Sequence, residues 1–204
     1  MKRLPDSDEE NSDNADMFYF VVGGTVLIGA LAIILSVVMS VDLASLFVIT
    51  PNDIAIGIIA TVPLGVFLWW FDGSTIKPIS ELRSSQIEFL NQIGFDLTPM
   101  RIVALSLAAG ICEELLFRGV LQTWLTSMTT VVGAIVVSNI IFGLLHYRTW
   151  VYALIAGLVG VYLGCIFVMT GGLLAPMITH GLYDALAFSN ARRAISEHRA
   201  GISA

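Results

Sequence analysis

The hydrophobic positions of this chain come in long blocks rather than in stripes. Six apolar stretches follow one another, at about 17–40, 52–71, 100–127, 130–147, 150–170 and 172–190. An apolar α-helix of about 20 residues crosses roughly 30 Å of hydrocarbon. The pattern predicts an all-α fold, a polytopic transmembrane helix bundle of about six spans. The first block, MFYFVVGGTVLIGALAIILSVVMS, is too long for the core of a signal peptide and follows acids rather than bases. It therefore reads as a helix of the mature chain. The second ends in Trp69 and Trp70, suited to a membrane–water boundary, and Pro63 predicts a kink within it.

Between the second and third blocks the pattern changes. Ile79, Leu82, Ile87, Leu90 and Ile93 recur at roughly helical spacing among polar residues. This predicts one amphipathic helix at the membrane surface, stopped near Gly94. Pro99 then opens the third span. Residues 1–16 hold six acids against Lys2 and Arg3 and have little that packs, which predicts a disordered acidic tail. The expected organisation is thus a tail at 1–16, two N-terminal transmembrane helices at 17–71, a cytoplasmic interfacial segment at 72–99, a four-helix core at 100–190 and a cytoplasmic tail at 191–204.

Composition strengthens this reading. Of 204 residues 56% are hydrophobic and 13% charged, against about 25% charged in soluble domains. Lys2, Arg3, Lys77, Arg83, Arg101, Arg148, Arg192, Arg193 and Arg199 lie outside the spans. With six helices all of them fall on the side of both termini, and the opposite connections hold no Lys or Arg. The positive-inside rule then puts both termini in the cytoplasm. No basic stripe exists, which argues against nucleic acid as a partner. Cys112 and Cys165 lie in apolar blocks without metal-ligand spacing and read as small packing residues.

The chemistry sits where it is least expected. Glu113, Glu114, Arg118, His146, His180 and Asp184 all lie within apolar spans. An Asp or Arg at the centre of a membrane helix costs about 2.5–3.5 kcal/mol on insertion scales. Such groups face one another or a water-filled cavity rather than lipid. Glu114 and Arg118 are four apart with the acid first, the favourable order for a helical ion pair. Glu113 sits about 100° round the helix from Glu114, which leaves it free to point elsewhere as the working carboxylate. Phe142 and His146 share a face, as do His180 and Asp184. A buried carboxylate beside imidazoles suits water activation, with one histidine holding the water and another donating to a developing oxyanion. The same groups also match a Glu-plus-two-His zinc set.

These residues resemble a known family. Glu113-Glu114-Leu-Leu-Phe-Arg118 is similar to the EExxxR motif of the CAAX protease and bacteriocin-processing (CPBP, or Abi) intramembrane endopeptidases. Phe142-Gly-Leu-Leu-His146 is similar to their FxxxH motif and His180-Gly-Leu-Tyr-Asp184 to their HxxxN/D motif. The three occur in order, each on its own expected span. The resemblance covers about residues 100–190. It implies an integral protein of a prokaryotic plasma membrane, a helical bundle with a cavity open to the cytosolic side, and a membrane-associated protein or peptide as substrate. It implies Glu113 as general base, His146 as its water-holding partner, His180 and Asp184 at the oxyanion site, and Glu114, Arg118 and Phe142 in support. It implies no cofactor, although the family was once described as metalloproteases. Two departures stand out. Prenyl-processing members often have Asn where Asp184 stands, and an ionised Asp accepts but does not donate. Either Asp184 is protonated, or it orients His180, which donates alone. The chain is also short, with fewer spans than larger members.

Other functions fit some of the same features. A non-catalytic scaffold, immunity or chaperone protein on this fold would tolerate Glu113→Gln. A proton pathway would also use buried Glu and His, and would show pH-driven flux. A zinc enzyme would lose activity to chelators.

Overall fold

The computed structural model describes the backbone of residues 7–199 and 201, with side chains over 15–197 and at 201. All regular structure among them is helical. Helix α1 runs Ser7–Val38, α2 Pro51–Gly73, α3 Lys77–Gln92 and α4 Pro99–Glu114. The chain continues from α4 through a π-helical segment, Leu115–Gln122, into α5, Thr123–Met128. Then follow α6 (Val131–Leu145), α7 (Trp150–Thr170) and α8 (Leu174–Arg199). The all-α bundle is as the hydrophobic pattern predicts, with a helix in each of the six apolar blocks and an amphipathic one between the second and third. By length and apolarity, Ala15–Val38, Pro51–Gly73 and Trp150–Thr170 can each cross a membrane, and α6 is a shorter apolar helix. The third block is divided by the π segment, and α8 is polar along its second half.

Threonine starts four of these helices. Thr50, Thr98, Thr130 and Thr149 each stand at the N-cap and accept from the backbone N–H three residues on. This satisfies donors that the first turn leaves without partners. Pro51 and Pro99 follow two of these caps, at a position where a missing N–H is harmless. Gly171 ends α7 in the left-handed region, with φ 69°, donating to Phe167 O.

The ends of the chain differ from expectation. Residues 7–16, expected within a disordered tail, belong to α1. Residues 1–6 of that expected tail lie outside the described residues. The expected polar tail after 190 is helical to Arg199. Ile195 anchors it, buried against Phe95, Leu97, Ile102 and Leu105. An Arg193–Glu197 pair at 3.1 Å, four apart, adds local support.

Packing gathers the motif-bearing helices. α8 lies against α2 and α4, α7 against α6, and α1 against α4 and the π segment. A Cβ placed on Gly110 of α4 would stand 2.9 Å from the backbone N of Gly181 in α8. Only hydrogen on both sides allows that approach, the small-residue contact common between membrane helices. The apolar stripe of α3 is turned to the bundle: Leu82 is buried, and Ile87, Leu90 and Ile93 pack on the Phe95–Leu97 cluster. Only 17% of the α1 span and 22% of the α2 span are buried by protein, against 39% of α7. The two N-terminal helices therefore form the rim, with most of their apolar surface left for lipid.

Candidate active site

The α4–α8 contact brings two motifs face to face. Glu113 and Glu114 lie one turn beyond Gly110, and His180 directly precedes Gly181. Glu114 is fully buried, and its Oε1 accepts from Arg118 Nη1 at 2.9 Å. The same oxygen accepts from His180 Nδ1 at 2.7 Å. The sequence expectation of a Glu114–Arg118 pair is met, and the structure adds a link the spacing did not show: Glu114 holds the third-motif histidine. With Nδ1 engaged there, His180 presents Nε2, which lies 3.5 Å from Asp184 Oδ2.

The second motif faces Glu113. His146 stands just past the end of α6, as its C-cap, rather than within the span. Its Nδ1 lies 2.8 Å from the carbonyl of Phe142, four residues back, so that nitrogen carries the proton and donates. Nε2 is then directed at Glu113 Oε2, 3.7 Å away. Glu113 Oε2 is buried and has no hydrogen-bond partner among the described residues. Glu113 and Glu114 thus diverge, one to His146 and one to His180.

Phe142 is the floor between them. Its ring lies 4.3 Å from that of His146 and 6.4 Å from that of His180. Phe117 meets it edge-on at 4.8 Å, and the Arg118 guanidinium lies 5.1 Å from its centre. Every position named from the sequence, Glu113, Glu114, Arg118, Phe142, His146, His180 and Asp184, falls in this one cluster. Enclosure is graded: the Glu114 and Arg118 side chains are 0% and 1% exposed, Glu113 15%, Asp184 20% and His146 28%. The site has a closed back and an accessible front.

Residues outside the motifs complete the back wall. Arg118 Nη2 donates to Asn139 Oδ1 at 3.0 Å and to Gly160 O at 2.6 Å, and Gln122 Nε2 donates to Gly164 O at 3.1 Å. Gln122 continues the four-residue step of Glu114 and Arg118, a signal present in the sequence. Asn139 lies three before Phe142, beside Ser138, on a mostly apolar helix. Tyr152 approaches His146 from α7, with ring centres 6.4 Å apart. Among the described residues, no three His, Cys, Asp or Glu side chains gather so as to hold a metal ion. Glu113 faces His146, while Glu114 and Asp184 both face His180.

Comparison with known proteins bears on this segment. The family described as "Type II CAAX prenyl endopeptidase Rce1-like" matches residues 96–186. That range holds all three motifs in the order read from the sequence. Residues 96–186 form an Rce1-like segment. The resemblance drawn from the motifs is therefore borne out over this segment. Over 88 residues the chain is 34% identical to the "Uncharacterized protein YpbD" of Bacillus subtilis (strain 168). The match covers 42% of this chain and 42% of that protein's length. No solved structure matches. The Rce1-like segment starts at the loop before α4 and ends two residues past Asp184, so α1, α2 and α3 lie outside it.

Proposed function

We propose that the protein is an intramembrane endopeptidase that hydrolyses a peptide bond with water activated by Glu113. The observation that carries this reading is the Glu113–His146 pair. A neutral His146 that donates from Nδ1 to Phe142 O offers Nε2 as an acceptor beside a carboxylate oxygen 3.7 Å away. A water at ordinary hydrogen-bond length, about 2.8 Å, donates to both at once and turns a lone pair outward. Glu113 takes the proton as the water oxygen attacks the carbonyl carbon. The negative charge moves to the carbonyl oxygen. His180 Nε2, which otherwise faces Asp184 Oδ2 at 3.5 Å, donates to it. An imidazole donating from both nitrogens is an imidazolium, and Glu114 is its counter-ion. The C–N bond then breaks, and the proton held by Glu113 passes to the leaving amine.

The substrate is a protein or peptide presented at the membrane, and the open side of the site is cytoplasmic. The comparison of peptide termini in membranes from cells carrying wild type or Glu113→Ala tests the activity. New N- or C-termini present only with wild type are expected. Identical termini, with the variant expressed at equal level, would overturn the enzyme reading in favour of a scaffold.

A further inference from the structure

Arg118 carries a question that the motifs leave open: a guanidinium has five donors, and Glu114 satisfies one of them. The others decide how the fork is rotated. Nη2 is held from two sides, by Asn139 Oδ1 and by Gly160 O. Asn139 is itself fixed, its Nδ2 donating to Ile135 O at 2.8 Å. Its side chain is therefore locked with the oxygen toward Arg118. Arg118, Gln122 and Asn139 are 0%, 1% and 2% exposed. The room comes from α7, where a Cβ on Gly164 would lie 2.8 Å from Gln122 Oε1 and 3.2 Å from Asn139 Nδ2. α7 has no residue in the three motifs, yet its carbonyls complete the site.

We propose that Asn139 is a positioning residue for the reaction. It fixes the plane of Arg118, which aims Nη1 at Glu114 Oε1, and that same oxygen holds His180 Nδ1. Removing the Asn139 acceptor lets the guanidinium rotate toward Gly160 O, and the His180 ring loses its fixed partner. Orienting groups behind a reacting residue act in this way, through geometry rather than contact with substrate. The catalytic part of the proposal rests on the endopeptidase reading; the placement of His180 does not.

The test uses full-length protein in lipid nanodiscs with ¹⁵N-labelled histidine, together with cleavage kinetics. Asn139→Leu, of similar volume, is expected to lose the His180 Nδ1–H signal shifted by its bond to Glu114. Its kcat is expected to fall about tenfold or more, the scale of one unpaired buried donor, with KM within about twofold. Asn139→Asp restores an acceptor for Arg118 and is expected to recover both. An unchanged ring signal and kcat in Asn139→Leu would overturn the proposal. So would equal loss in Asn139→Leu and Asn139→Asp, which shows that the acceptor offered to Arg118 is not what places His180. Should Asn139→Leu fail to fold, Asn139→Ala removes the acceptor without bulk and is read the same way. A ring signal that moves as expected, in a protein whose wild type shows no Glu113-dependent cleavage, overturns the endopeptidase reading and leaves the placement of His180 intact.

Discussion

Among the described residues Arg118 is the largest side chain that the fold encloses completely, and it sits in a membrane protein's interior beside an equally enclosed Glu114. Two charges so buried depend on each other, because removal of one leaves the other unpaired. Arg118→Leu is expected to lower stability by about 3–5 kcal/mol, read by equilibrium unfolding in detergent micelles. Glu114→Gln with Arg118→Leu is expected to lose less than the sum of the single variants, since the one ion pair that each of them breaks is lost only once. The ion pair itself was legible in the sequence, because a four-residue spacing fixes neighbours on a helix. The bond from Glu114 to His180 was not, since it joins residues 66 apart and depends on how α4 meets α8. Asn139 was passed over for a related reason. A single amide on a mostly apolar helix has no charged residue one turn away that would single it out.

At the scale of elements, the site exists because α4 and α8 touch through glycine. A valine at Gly110 places methyl groups where the backbone of Gly181 stands, and backbone cannot swing aside as a flexible side chain does. Gly110→Val is expected to destabilise by about 1–3 kcal/mol, the usual scale of overpacking. It is also expected to separate the Glu113 and His180 sides, so that cleavage falls further than stability; melting and cleavage measured on one preparation check both. The blocks of apolar residues revealed these helices and their order. They did not reveal the π segment at Leu115–Gln122, whose hydrogen bonds look identical to α-helix at the level of sequence. Such segments often lie at functional sites, and here it carries Arg118 and Gln122 toward α7. The helical continuation to Arg199 was also hidden, because the single apolar anchor Ile195 finds its partners on distant parts of the chain.

The whole molecule couples a rim of lipid-exposed helices to a polar interior that opens on one side. The Lys and Arg pattern predicts which side. In a background with Cys112 and Cys165 replaced by serine, exposed Ser84→Cys and Ser196→Cys are expected to react with an impermeant maleimide from the cytoplasmic face. Exposed Ser45→Cys, in the first connection, is expected to react only from the opposite face. Reaction of all three from one face would contradict the six-span arrangement. The central claim concerns the pair at the mouth of this interior, Glu113 and His146 acting together on one water. Its most direct measurement is a double-mutant cycle on a peptide whose cleavage depends on wild type, comparing Glu113→Gln, His146→Ala and the variant carrying both. Residues that act as a unit give non-additive losses, so the double variant is predicted to be no slower than the slower single one. Losses that multiply, or a Glu113→Gln protein that still cleaves at the wild-type rate, would contradict the account.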